Sequence, residues 1–264
     1  MKVISCGTLK GGTGKTMVTF NIAGVLAENH RVLMIDNDPQ CNLSDTAGID
    51  TADQEIKSVR DIYEHPAEVD PRDVIVKAPV DELPNLDIIP SHLRLTGTEM
   101  QLVSRAGREQ ILGHYIEDHM DVFGQYDYII NDTNPSMGII NQNAFLAADS
   151  IILVSDVSRK AVQGAQLFTY LWEESRSMLR KQDNVKALII NNYDKRTSLS
   201  GQLRELYRDD DEFADLLIDQ PVPYRVKLKD TELKYTPINV LYPNSEECAV
   251  FRDIVNKLIE KGVL

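Results

Sequence analysis

Two lysines on a glycine-rich turn give the first chemical signal. Residues 9–16 read Leu9-Lys10-Gly11-Gly12-Thr13-Gly14-Lys15-Thr16. Gly11, Gly12 and Gly14 let the backbone curl so that successive N–H groups face one point, which suits an anion. A helix opening at Thr16 adds the positive end of its dipole. Lys15 can then reach the β- and γ-oxygens of a phosphate chain, and the Thr16 hydroxyl can ligate Mg²⁺. The frame G-x-x-x-x-G-K-[ST] would place Leu9 where a glycine is required, so the loop is the variant K-G-G-x-G-K-[ST]. A glycine turn that binds nothing is the plain alternative; a strand before the loop and a helix after it weigh against it. One lysine serves one nucleotide. Lys10 is therefore either a solvated surface lysine or a cation offered to the nucleotide of a second molecule.

Carboxylates follow at strand ends. The apolar run 31–35 closes on Asp36-Asn37-Asp38-Pro39-Gln40-Cys41-Asn42, and Tyr128-Ile129-Ile130-Asn131 closes on Asp132. Acids at the C-terminal edge of a sheet, beside a phosphate loop, face the metal and the terminal phosphate. A solvated, capped turn is the alternative for each.

These residues need a scaffold that brings strand ends together, and the remaining pattern predicts one. Residues 2–8 read as a strand and 16–28 as a helix, with Val18, Ile22, Val25 and Leu26 on one face. Strands are predicted at 31–35, 86–89, 128–131, 150–154 and 186–190. Helices are predicted at 98–120 with a break at Gly107, and at 139–148, 159–181 and 246–261. Apolar strands alternating with helices imply an α/β fold: a doubly wound, mostly parallel sheet with helices on both faces. Residues 1–264 are expected to form a single P-loop ATPase domain, with 45–85, rich in charge and proline, as a loop-rich excursion within it. The chain carries 28 Lys and Arg against 41 Asp and Glu, a net charge of −13. Any nucleic-acid contact must therefore come from a local basic patch acting against the overall field. Cys6, Cys41 and Cys248 are too dispersed for a disulfide framework or a zinc or iron–sulfur site. The first residues resemble no targeting signal, and a cytoplasmic protein is expected.

The segment Lys10–Thr16 resembles the signature of the ParA/MinD superfamily of dimerising ATPases, the deviant Walker A class. That resemblance implies that Lys10 contacts the other subunit's ATP in a sandwich homodimer, and that Lys10, Lys15 and Asp38 serve catalysis. It implies nucleotide contacts from Lys10, Gly11, Gly12, Thr13, Gly14, Lys15, Thr16 and Met17, with ATP and Mg²⁺ as cofactors. Asp36-Asn37-Asp38-Pro39-Gln40-Cys41-Asn42 resembles the D-x-D-P-Q-x-N switch I of ParA-type proteins. On that match Asp36, with Thr16 and Asp132, belongs to the Mg²⁺ shell, and Asp38 positions the attacking water. The family usually continues D-T-P-P-S after the last strand acid, whereas this chain has Asp132-Thr133-Asn134-Pro135-Ser136. Asn191-Asn192-Tyr193-Asp194 is similar to the family segment bordering the adenine pocket, so Asn191 or Asn192 would read the base. Val226-Lys227-Leu228-Lys229-Asp230 aligns with V-K-L-x-E, but the E-A-P-S-F-G stretch is replaced.

The resemblance is to the short ParA proteins, without an N-terminal helix-turn-helix domain. It implies plasmid or chromosome partition. The ATP dimer would bind DNA non-specifically, associating with the nucleoid through a patch that includes Arg225, Lys227 and Lys229. A ParB-like centromere-binding partner would stimulate slow hydrolysis. Scattered solubilising lysines are the alternative for that patch. A MinD-like membrane ATPase would need a basic amphipathic C-terminal helix. Here the polar face mixes Arg252, Asp253, Lys257, Glu260 and Lys261, so core docking is expected and no membrane partner. A nitrogenase-type iron protein needs a cysteine pair that the sequence does not supply. A metabolic P-loop enzyme and a positioning ATPase for a non-DNA cargo would carry the same engine.

Overall fold

The computed structural model describes residues 1–53 and 55–264. The chain alternates as predicted at its start: β1 (Lys2–Gly7), α1 (Lys15–Leu26), β2 (Val32–Asp36) and the short α2 (Asn42–Thr46). The excursion holds α3 (Val59–Glu64), α4 (Pro71–Val74) and β3 (Val76–Lys77) before β4 (Leu86–Ile89). The predicted 98–120 helix is three: α5 (Leu95–Leu102), α6 (Ile111–Asp118) and α7 (Met120–Phe123). Gly107, at φ 67°, lies in the first break, a left-handed position that interrupts helical geometry at little cost to glycine. Next come β5 (Tyr128–Asp132), α8 (Ile139–Ala147), β6 (Ser150–Asp156), α9 (Ala161–Met178) and β7 (Val185–Asn191). The polar tail folds as α10 (Ser198–Arg208), α11 (Val226–Leu233), α12 (Ile238–Leu241) and α13 (Glu246–Glu260).

Seven strands form one sheet in the order β3-β4-β2-β5-β1-β6-β7. Every pairing is parallel except that of β3 with β4. The central strands are buried on both faces, which is why they read as unbroken apolar runs. Alternate residues of β1 feed two cores. Val3 joins Phe145, Phe168 and Trp172 on one face; Ile4 and Cys6 join Val18, Phe20 and Phe251 on the other. Helix α13 buries Cys248, Phe251, Ile254, Val255 and Leu258 in this second core, while Ile259 stays exposed. The apolar face of α13 thus docks on the protein's own core, as expected from the mixed charge of its polar face. Among the described residues no helix is long and apolar enough to cross a membrane.

Three helices after Asn191 have little apolar signal because the fold asks little of them. Helix α10 buries Leu203 and Tyr207 and is capped by Thr197, whose hydroxyl accepts from the Ser200 N–H; α11 buries only Leu228 and Thr231. The sheet brings the C-terminal ends of β1, β2 and β5 to one edge, with Asp36 and Asp132 in register as neighbours.

Candidate functional site

The loop between β1 and α1 turns on Gly12 (φ 78°) and Gly14 (φ 75°), left-handed conformations that favour glycine. The turn is fixed from outside. The Asn191 side chain, at the end of β7, donates from Nδ2 to the Thr13 carbonyl at 2.7 Å. A Cβ on Gly14 would sit 2.3 Å from that same nitrogen, so the position admits only glycine without rearrangement. Asn191 Oδ1 is buried with no partner among the described residues. One of the two predicted base-reading residues therefore already holds the phosphate loop and keeps a free acceptor; its neighbour Asn192 lies at φ 56°.

Beneath the loop the Lys15 ammonium pairs with Asp132 Oδ1. Thr16 Oγ1 donates to Asp132 Oδ2 at 2.6 Å, and Thr19 Oγ1 to Oδ1 at 3.2 Å. Burying a carboxylate and an ammonium together is tolerable only when their remaining hydrogen-bonding capacity is also used, and the two threonines do that for Asp132. Asp36, on the neighbouring strand, accepts from the Ser44 N–H (2.8 Å), the Ser44 hydroxyl (2.7 Å) and the Asp38 N–H (3.0 Å). Burial, and then the charge of Asp132, push its carboxyl up to about 7. Asp38 accepts from the Gln40 N–H at 2.8 Å and from Asn42 Nδ2 at 3.2 Å, and burial raises its pKa as well. The Ser91 hydroxyl donates to the Asp38 carbonyl at 2.7 Å.

The sequence-derived residues do not all stand in the same relation to the cavity. A cleft of about 450 Å³ is lined by residues 10–16, by Asp38, Gln40 and Asn42, and by Thr133, Pro135 and Glu232. Asp36 and Asp132 are fully buried and lie beneath that wall. Met17, Asn191 and Asn192 line an adjoining cavity of about 150 Å³, together with Tyr224, Arg225 and Lys229. Lys10 lies at the rim, its ammonium paired with Asp156 at the end of β6 and donating to Ser158 Oγ at 3.1 Å. Arg225 and Lys227, two of the expected DNA contacts, both reach the Glu247 carboxylate, at 3.8 and 3.3 Å. Lys229 lies over the Tyr224 ring, 5.2 Å from its centroid.

Several supporting residues carried no motif. Asn141 Nδ2 donates to the carbonyls of Asn134 and Ser136, each at 2.8 Å, fastening the loop where Asn134 replaces the first of the two usual prolines. Tyr63 OH donates to Asn37 Oδ1, Asn37 Nδ2 to Asn131 Oδ1, and Asn131 Nδ2 to Ser5 Oγ, a buried polar chain crossing three strands under the site. The legible signal for Asn37 and Asn131 was a polar residue inside or beside an apolar strand end.

The donors around the loop floor are all oxygens: the Thr16 hydroxyl and the carboxylates of Asp132, Asp36 and Asp38. Mg²⁺ takes such hard donors and usually keeps waters and phosphate oxygens in its shell. Among the described residues no group of three or more His, Cys, Asp or Glu encloses an ion site. A cation here would complete its shell from ligand and solvent, and the residues present fit that arrangement.

A phosphate loop between a buried strand and a helix, facing paired strand-end carboxylates, defines a P-loop nucleotide-binding protein. The matches to known proteins narrow the class. A family model for an AAA domain matches residues 1–206. The sporulation initiation inhibitor protein Soj of Bacillus subtilis is 31% identical over 262 residues, covering 99% of each chain. The chromosome partitioning protein ParA of Caulobacter vibrioides is 32% identical over 231 residues, 87% of this chain and 83% of its own. Among solved structures, a variant of McdA from Cyanothece in complex with ATP superposes with a TM-score of 0.83 at 21% identity, covering 98% of this chain and 96% of that one. The chain belongs to the ParA/Soj family of P-loop NTPases.

Proposed function

We propose that this protein is an ATP-driven partition ATPase: it binds ATP and Mg²⁺ in the cleft, forms a homodimer in that state, and holds DNA without regard to sequence. A ParB-like partner with a basic segment then stimulates slow hydrolysis and resets it. The observation that carries the reading is the division of labour between two lysines on one loop. Lys15 is buried on Asp132 and close to where its own phosphates would lie, whereas Lys10 is held outward at the rim by Asp156 and Ser158. A cation turned outward, beside a site that already has one, suits a second subunit's nucleotide.

In this reading Lys15 exchanges Asp132 for the phosphate oxygens, and the loop N–H groups and the α1 dipole complete the cradle. Mg²⁺, when bound, supplies neutralisation of the phosphate charge. Thr16, Asp36 and Asp132 would hold or orient its shell. Asp38 is kept in place by Gln40, Asn42 and Ser91. With its pKa raised by burial, it orients the attacking water and accepts its proton more readily than an ordinary surface carboxylate.

Light scattering with and without ATP tests the dimer: mass should double with ATP, and Lys10→Ala should bind ATP without doing so. A mass indifferent to ATP removes the dimer from the account. DNA binding should require ATP and weaken steeply with salt, with a log–log slope of about −0.9 per phosphate neutralised. Reversing the charges of Arg225, Lys227 and Lys229 together should abolish it and leave ATP binding in place. The pairing of Arg225 and Lys227 with Glu247 supports a second reading, in which the same engine positions a cargo other than DNA. Wild-type protein that ignores DNA in every nucleotide state would put that reading first.

A further inference from the structure

The cleft and the adjoining cavity are neighbours, and their common border, the neck, is lined by two shared residues. Gly14 and Glu232 are the residues common to both linings. Gly14 offers backbone alone. Glu232, on α11, is thus the single side chain facing both the space beside Lys15, Thr16 and Asp38 and the space beside Met17, Asn191 and Asn192. A nucleotide with its phosphates in the first and its base in the second must thread its sugar between them.

We infer that Glu232 is a specificity-determining residue that accepts hydrogen bonds from the ribose hydroxyls of the bound nucleotide, making the site selective for ribonucleotides. This rests on the ATP reading of the preceding section and deepens it. The chemistry at the neck agrees. A carboxylate accepts and cannot donate when ionised, and a ribose presents two O–H donors where a phosphate presents none. Lys229 stands one turn earlier in α11, and Glu232 is exposed, with its carboxyl in no ion pair among the described residues. Other acids of the site are already bonded: Asp36 to Ser44, Asp38 to Asn42, and Asp132 to Lys15. The position also falls within the stretch where this chain departs from the ParA pattern, at Thr231-Glu232-Leu233. Losing one partner of a hydrogen bond to a charged group costs about 1.5–3 kcal/mol, or roughly 10- to 150-fold in affinity.

The test is equilibrium binding of ATP, 2′-deoxy-ATP and 3′-deoxy-ATP to wild type, Glu232→Gln and Glu232→Ala. Wild type should prefer ATP over at least one deoxy analogue by roughly tenfold or more. Glu232→Ala should lose ATP affinity by a similar factor, bind the discriminated analogue as before, and so erase the preference. Glu232→Gln, which keeps an acceptor, should fall between. Glu232 is exposed, so the variants should fold, and thermal melts confirm that. Wild type that binds ATP but ignores the sugar overturns the inference, as does a Glu232→Ala that binds all three nucleotides more tightly in equal measure, the mark of simple charge repulsion. Failure of wild type to bind any of them defeats the nucleotide reading itself.

Discussion

The two ends of the nucleotide cleft are built on different principles. At the phosphate end, one short loop and two strand ends do the work. Lys15, Thr16, Thr19, Asp36 and Asp132 are packed under one short loop, and nearly every polar atom has a partner. At the base end, the wall is gathered from Met17, Asn191, Asn192, Pro223, Tyr224, Arg225, Leu228, Lys229 and Glu232, of which Tyr224, Lys229 and Glu232 are exposed. The first end is a preorganised electrostatic cradle in which removing a group leaves a buried partner unsatisfied. The second is an adaptable rim, where solvent can replace what is lost. Substitutions should therefore grade steeply from floor to rim.

The largest effect is expected at Lys15. Lys15→Ala removes the charge-assisted contacts to phosphate and strands Asp132 in a buried site, so ATP affinity should drop at least about 100-fold by titration calorimetry. The buried Asp132 charge, left with only the Thr16 and Thr19 hydroxyls, should also lower the thermal midpoint. An unchanged midpoint would mean that water reaches Asp132 and that the floor is less closed than its burial suggests.

Gly14→Ala comes next. It forces a side chain onto a φ of 75° and pushes a methyl to within 2.3 Å of Asn191 Nδ2. Left-handed strain of about 1 kcal/mol and loss of the Asn191 tie should weaken ATP binding roughly tenfold. Combining it with Asn191→Ala should relieve the clash but not the strain, recovering part of the loss.

A smaller, conditional effect belongs to Asp36. Its folded pKa of about 7 lies above the ordinary 3.8, so the native state holds a proton that the unfolded chain has released. Stability of protein free of nucleotide and Mg²⁺ should fall as pH rises from about 4 to about 7 and then level off, the slope following the difference in bound protons. The full contribution is on the order of 4 kcal/mol as an upper bound. Asp36→Asn should flatten this part of the profile, and a midpoint that instead rises across the interval would contradict the assignment.

The smallest change is expected at the rim. Lys229→Gln removes an exposed cation resting on Tyr224, and ATP affinity should shift by no more than about threefold. A loss comparable to that of Lys15→Ala would erase the contrast between the two ends.

Much of this molecule was readable before any coordinates. The glycine spacing of 11, 12 and 14, the lysines at 10 and 15, and acids closing apolar strands pointed to the glycine loop, the carboxylates placed beneath it and the parallel sheet. The loop chemistry needs its glycines and lysines in close sequence, and a strand–loop–helix unit delivers them locally; the acids come from the ends of two further strands. The polar tail was less legible. Helix α11 buries so little that its pattern resembles a loop, and the antiparallel edge strand β3 is two residues long.

What only the tertiary structure decided are the contacts made across long separations. Asn191 reaches the Thr13 carbonyl 178 positions away, and Lys10 finds Asp156 across 146. Arg225 and Lys227 both approach the Glu247 carboxylate. Glu232 lines both cavities together with Gly14. The physical reason is common to all four. Local sequence encodes backbone conformation and which face is apolar, but the partner of a charged or amide side chain is chosen by which strand and helix ends the sheet order sets side by side.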